Sequence, residues 1–283
     1  MSAVHAYKNH KVAFLTQHGK QMLLREPLET ALGCELVHTD GYDTDLLGTF
    51  TRDQIRPSSQ IEAARKKALI GMDLTHTTIG MASEGSFGMD PFGGFIPWNT
   101  EVLVWIDQNL GIEVHGVAHG PAQSLHKIIH TENELEAFAS AALLPSHHLV
   151  LRPDNQDHPA IIKGIDNLAD LRQAFHWAKQ QSIHGRVFAE NDLRAHGNPT
   201  RQSVIRKAGD HLIQKLRSSC PQCKTPGYWI TEQTAGLPCS ACGRKTHLPV
   251  SEVWCCLACG NEDHKRLSFE RLADPSRCDF CNP

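Results

Sequence analysis

The chain has 283 residues, 40% of them hydrophobic, and a formal charge of -3, which describes an ordinary globular protein with room for one large domain and an appendage or for two domains. Basic residues show no excess, which excludes a dedicated non-specific nucleic-acid binder, and no apolar run approaches the length of a membrane span. A cytoplasmic protein with no membrane partner is therefore expected, and the 18 histidines are too scattered to point to a ligand cluster.

The first predicted elements are strand, loop and helix. Residues 11–16 form a short apolar run, Gln17-His18-Gly19-Lys20 a polar turn, and the residues up to about Leu32 an amphipathic helix ended by Gly33. Free amides at that helix start, with Lys20 beside them, suit a phosphate, although Lys20 equally fits a surface lysine in an ordinary turn. Residues 34–38 read as a second strand. Residues 40–59 are rich in Asp, Thr, Gly and Ser, the composition of a loop that reaches over a site, with Asp43, Asp45, Thr49 and Thr51 as its polar candidates.

A helix is predicted over residues 59–72, with Ser58 or Ser59 as N-cap and Glu62 in the first turn, where a carboxylate favours the positive end of the dipole. Glu62 and Lys66 can pair on one helix face, while Lys67 points away from it and is free for another task. Residues 79–82 form a buried strand running into Ser83-Glu84-Gly85-Ser86-Phe87-Gly88. There a carboxylate follows a strand directly and glycines let the backbone approach a ligand; the bland alternative is a glycine turn with an exposed Glu84. Residues 99–107 and 112–118 are consecutive strands. A helix at 132–142, a hairpin from 147–152 and 160–165, a helix at 168–181 and a strand at 186–190 follow. Residues 191–201, including Arg194, Thr200 and Arg201, are dense in groups that bind metal or phosphate. A long helix over residues 199–217 keeps Val204, Ile205, Ala208, Leu212 and Leu216 on one face.

The most legible stretch comes last, where eight of the ten cysteines form four C-x2-C pairs. The pairs Cys220/Cys223, Cys239/Cys242, Cys256/Cys259 and Cys278/Cys281 supply the thiolates for two structural zinc ions, each held by four sulfurs. Two intervening residues let one tight turn aim both sulfurs at a single ion. Gly243 and Gly260 follow their pairs, where the chain must curl back with positive φ. Spacing leaves the pairing open: consecutive knuckles give two sequential ribbons, and Cys220/Cys223 with Cys256/Cys259 give a crossed arrangement. Cys255 reads as a spare thiol, and His247 and His264 are alternative ligands that four thiolates make superfluous. Disulfides are the competing reading, disfavoured because no secretory segment is recognisable. The expected organisation is an α/β core over residues 1–217 and a double zinc ribbon over 218–283.

Two resemblances add to this. The strings Ala82-Ser83-Glu84-Gly85-Ser86-Phe87-Gly88, Arg194-Ala195-His196-Gly197-Asn198-Pro199-Thr200-Arg201 and Cys278-Asp279-Phe280-Cys281-Asn282-Pro283 resemble an uncharacterised bacterial family, a domain of unknown function with a C-terminal double zinc ribbon. More distantly, residues 11–215 are similar to the inosine/xanthosine triphosphate pyrophosphatases. The shared features are Thr16, His18 and Lys20 after the first strand, Glu62-Ala63-Ala64-Arg65-Lys66-Lys67-Ala68 on a helix, Glu84-Gly85 after a strand, and Thr200-Arg201 before the last helix. That family's asparagines are absent here, with His18 in one of their places, and residues 142–170 and the cysteine tail have no counterpart in it.

The second resemblance implies a mixed α/β, two-lobed fold and a magnesium ion on the catalytic carboxylates Glu62 and Glu84. In that picture Thr16, His18, Lys20, Lys67, Arg194, Thr200 and Arg201 hold a nucleotide or another phosphate-bearing small molecule while water attacks a phosphoanhydride. The competing class is a non-catalytic binding module, a degenerate core whose zinc tail contacts nucleic acid or a protein partner. Charge in the tail does not decide between them, because its lysines and arginines are offset by nearby carboxylates.

Overall fold

Strand β1 (Lys11–Leu15) is buried at four of its five positions, as a strand in the middle of a covered sheet must be. The computed structural model describes residues 6–44, 59–267 and 271–283. It is a mixed α/β structure with three sheets and five α-helices among the described residues. The chain divides into two compact units, one of residues 1–107 with 115–213, the other of 108–114 with 214–283.

In the larger unit β1 runs parallel to β2 (Glu35–Thr39) on one side and to β3 (Ile79–Met89) on the other. Strand β3 pairs antiparallel with β4 (Pro97–Asp107), and β5 (Ile112–Pro121) completes the order β2-β1-β3-β4-β5. Parallel neighbours require crossover helices, and crossovers are right-handed. The step from β1 to β2 through α1 (Gln21–Leu32) moves one way across the sheet, and the step from β2 to β3 through α2 (Gln60–Thr75) moves back past β1. The two helices therefore cover opposite faces.

Helix α2 packs Ala64, Ala68 and Met72 onto Ala13, Ala82, Val102 and Val104. On the other side α1 meets α5 (Pro199–Arg217), where the missing side chain of Gly209 leaves room for Leu24. Helix α5 lies so close to β5 that a Cβ on Gly116 would sit 2.4 Å from the carbonyl oxygen of Ala208. A substitution at Gly116 would push the helix off the sheet.

The second sheet has the order β6-β9-β7-β8, built from β6 (His126–Ile129), β7 (Leu149–Pro153), β8 (Ile162–Ile165) and β9 (Val187–Asn191). Every pair in it is antiparallel. Helices α3 (Glu132–Ala141) and α4 (Leu168–Gln181) bury Leu135, Phe138, Leu171 and Phe175 with Leu149, Leu151 and Val187. Each such side chain stabilises the fold by about 1.5–3 kcal/mol relative to exposure. In the smaller unit β10 (Trp229–Ala235), β11 (Pro249–Cys255) and β12 (Glu262–Arg266) form an antiparallel three-stranded sheet.

Helix positions and the β7–β8 hairpin follow the sequence pattern, but two expectations change. The Ser83 to Gly88 string is not a loop: β3 continues through it to Met89, paired with β4 throughout. Strand β6 was not expected, because its four residues close only against the distant β9. Of the polar candidates in the 40–59 segment, Asp45, Thr49 and Thr51 lie outside the described residues.

Candidate functional site

In an open sheet with a 2-1-3 strand order, ligands collect at the carboxyl ends of the strands where the chain switches direction, here between β1 and β3. The turn Gln17 to Lys20 leaves β1 at that point and leads into α1. Thr16 is buried there, and its carbonyl accepts a 2.8 Å bond from the His38 ring. Lys20 is the first residue before α1 and is buried, its Nζ donating 3.2 Å to the backbone oxygen of Ser83 just beyond the β1–β3 register. Burial pulls the Lys20 ammonium down to about 7, and Arg201 adds to the effect while Glu101 and Glu84 oppose it. A lysine so placed is half charged near neutrality.

Successive residues of β3 serve opposite faces of the sheet. Glu84 is buried on the α2 side, in an ion pair with the buried Lys67. Gln60, in the first turn of α2, bonds the Glu84 carbonyl at 2.7 Å and the Thr100 carbonyl at 2.9 Å, fixing helix against strand. On the other side, next to Gly85, Arg201 Nε donates 2.7 Å to Glu101 and its Nη1 donates 2.6 Å to the Leu193 carbonyl. A Cβ on Gly85 would lie 2.4 Å from Glu101 Oε1 and 2.5 Å from Arg201 Nη2. The glycine makes room for a buried ion pair, rather than for a ligand as the sequence pattern suggested.

The structure thus places Lys67 and Glu84 on one face of β3 and Arg201 and Glu101 on the other, with Lys20 in electrostatic reach of all four and Thr16 at the end of β1. Ser83 Oγ is buried without a hydrogen-bond partner. Beside the Gln17 to Lys20 turn, the His18 ring stands 5.9 Å from that of His196, which stands 5.8 Å from that of His148. Burial and the neighbouring Arg194 hold His196 below its ordinary value.

Three other predicted residues are engaged elsewhere. Glu62 is exposed and completes a capping box with Ser59, its carboxylate accepting the Ser59 amide at 2.9 Å. Thr200 pairs its hydroxyl with His147 at 2.9 Å, and Arg194 clamps Asp192 at 2.6 Å. A magnesium ion shared by Glu62 and Glu84 is not supported: one carboxylate caps a helix, the other is neutralised by Lys67. Glu101 could have been suspected from sequence as a lone acid opening the apolar run 102–106, but its partner lies 100 residues away.

The cysteines resolve into Cys220, Cys223, Cys256 and Cys259 as one group and Cys239, Cys242, Cys278 and Cys281 as another, the crossed arrangement. Zinc bonded to four sulfurs at about 2.3 Å sets a tetrahedral edge of about 3.8 Å. The sulfurs of Cys220 and Cys259 are 3.8 Å apart, Cys223 and Cys256 3.5 Å, Cys239 and Cys281 3.8 Å, Cys242 and Cys278 3.7 Å. Both groups could hold a zinc ion. Every knuckle closes alike, with amides of Lys224, Gly243, Gly260 and Asn282 donating to the carbonyls of Cys220, Cys239, Cys256 and Cys278. Gly243 and Gly260 take left-handed backbone as expected, and Lys224 takes it without being glycine. Cys255 stays outside both groups, and His247 pairs with Asp279.

The sequence profile of a family described as a domain of unknown function matches residues 67–283, most of the chain, including the β3–β4 hairpin, the Arg201 helix and all eight knuckle cysteines. The chain belongs to the DUF6671 family. No curated protein matches it. The resemblance to the nucleoside triphosphate pyrophosphatases finds no support in these comparisons. In DUF6671 terms the match begins at Lys67, so β1, α1 and the Lys20 turn precede it. No described helix is long and apolar enough to cross a membrane.

Proposed function

We propose that the α/β unit binds a small phosphate-bearing ligand of the nucleotide class at the carboxyl ends of β1 and β3, and that the cysteine tail carries two structural zinc ions. The observation behind this reading is Lys20, a buried ammonium at the direction switch of the sheet with Arg201 and Lys67 in its electrostatic reach. Lys67 and Arg201 are each paired with a carboxylate, so the charge that a ligand would answer is that of Lys20, and a phosphate would restore its full charge. The unbonded Ser83 hydroxyl offers a neutral partner at the same place. A cysteine tail that holds zinc through thiolates fits a reducing compartment such as the cytoplasm.

Hydrolysis needs a carboxylate free to handle water, and Glu84 and Glu101 are each held by a cation. Binding without turnover is therefore the reading preferred over the pyrophosphatase-like one. Calorimetric titration with inorganic pyrophosphate and with nucleoside triphosphates tests it. Affinity should fall about tenfold to a hundredfold in Lys20→Met, the loss expected for one buried charge-assisted hydrogen bond. Absence of binding to any of these probes sinks the proposal. Pyrophosphate release with added magnesium, abolished by Glu84→Gln, would restore the hydrolase reading.

A further inference from the structure

Strand β3 pairs with β1 only as far as Met81, whereas the β3–β4 hairpin runs on to Met89 and Pro97, so its tip projects well past β1. The tip carries Met89, Phe92, Phe95 and Ile96, which are 58%, 82%, 86% and 51% exposed. Exposed apolar side chains scattered singly, such as Ile183, are ordinary, but four on one apex form a contiguous patch of the kind that marks an interaction surface.

The backbone of the tip is prepared for burial. Asp90 accepts the amides of Phe92, Gly93, Phe95 and Ile96, and its own amide donates 2.8 Å to the Ile96 carbonyl. Pro91 and Pro97 have no amide to satisfy. Water can satisfy such groups on a free surface, whereas a loop that meets another apolar surface must bond them internally. An edge-on contact between Phe92 and Trp98, 6.0 Å between ring centres, also ties the apex to β4.

Charge and area decide what the tip can meet. From Met89 to Trp98 the only ionisable side chain is Asp90, and its carboxylate is occupied by the hairpin's own amides. Two copies can therefore face each other about a two-fold axis without like charges meeting. A lipid surface is a poorer match, because the tip offers no lysine or arginine to anionic headgroups and keeps an ionised carboxylate behind its apex. An aromatic side chain presents about 150–250 Å², so the two phenylalanines with half of Met89 and Ile96 leave about 500 Å² per copy. Two copies then bury about 1,000 Å² in all, enough for a specific but reversible pairing.

We propose that the β3–β4 tip is a dimerisation surface on which two copies of this chain pack Phe92 and Phe95 together. The contact uses none of the residues of the proposed phosphate site. Sedimentation equilibrium of the zinc-loaded full chain over about 1–200 μM should show a monomer–dimer equilibrium with Kd in the micromolar range, as a contact of this size allows. Phe92→Ser and Phe95→Ser each remove a side chain from both copies and should each raise Kd by about a hundredfold. Phe95→Glu sets like charges across the axis and should leave only monomer, while Ile183→Ser should not change Kd. Thermal melts of the variants should match that of the dilute parent, because these side chains are exposed in the monomer. The proposal is overturned if the parent stays monomeric at the highest concentration, or if its dimer persists unchanged in Phe92→Ser and Phe95→Ser. A monomeric parent that sediments with phosphatidylcholine vesicles, and no longer does so in Phe95→Ser, would assign the tip to a lipid surface instead.

Discussion

Lys20 carries a cost in stability that the proposed ligand would offset. Its ammonium sits at about 7 in the folded protein because burial and Arg201 oppose the charge, whereas an unfolded lysine titrates at about 10.4. Between those values the unfolded chain binds the extra proton, so this group makes stability rise as pH increases across that window. Below pH 7 the whole cost of burying the charge is present. Lys20→Met should therefore melt higher than the parent at pH 6, with the difference shrinking toward pH 10, while ligand affinity drops. Thermal melts at several pH values check this, and a variant less stable at pH 6 would contradict it. A bound anion should raise the lysine's value again, so affinity in the parent should strengthen as pH falls through 7. Lys224 carries a different strain, since its left-handed backbone follows a knuckle where two of the other three have glycine. Lys224→Gly should stabilise the zinc-loaded tail by about 1 kcal/mol, measured by denaturant titration.

At the scale of elements, the buried Arg201–Glu101 pair joins α5 to β4 through the space that Gly85 leaves in β3. Removing one partner strands a buried charge, which generally costs about 3–5 kcal/mol, whereas removing both together costs less. Arg201→Met should lose stability on that scale, and Arg201→Met with Glu101→Gln should recover part of it; an additive double variant would mean the pair is not coupled. The β3–β4 tip depends on Asp90, whose Oδ1 accepts the amides of Phe92 and Gly93 and whose Oδ2 accepts those of Phe95 and Ile96. The Gly93 amide and the other three hold this carboxyl well below the usual range. The tip should thus stay ordered down to pH 4, and Asp90→Asn should speed hydrogen exchange at Phe95 and Ile96 while sparing Gly93.

The helices were legible because their apolar faces and caps are local: Ser59 and Gly33 mark boundaries by their own chemistry. Strand β3 was legible only to Ala82, since a glycine-rich string reads as a loop unless one knows that Arg201 and Glu101 need the space. Likewise Glu84 stood out in the sequence as an acid after an apolar run, but nothing local said that Lys67 would neutralise it. The carboxylates were picked from residue types, whereas the Lys67 partner of Glu84 and the Arg201 partner of Glu101 are brought near only by the fold.

For the whole molecule, the same limit applies to the cysteine tail, where spacing picked out all eight cysteines of the two groups and left the pairing open. The crossed pairing interleaves the two groups: the first closes across 220–259 and so encloses Cys239 and Cys242, half of the second. Strands β10 and β11 run between the groups and pair with each other, so their register depends on both ends being anchored. Zinc binding in such small units is itself the folding free energy, about 10–16 kcal/mol per structural site. Two sequential ribbons would lose their ions one at a time, and Cys281→Ser would leave one zinc per chain. In the crossed arrangement the loss of either group releases the β10–β11 hairpin that aligns the other. Cys281→Ser and Cys220→Ser should therefore each lower the zinc content well below one per chain, and stepwise chelation of the parent should remove both ions in a single transition. Metal analysis after dialysis against a weak chelator measures it, and a stable content of one zinc in either variant would show that the groups fold independently despite their interleaved ligands.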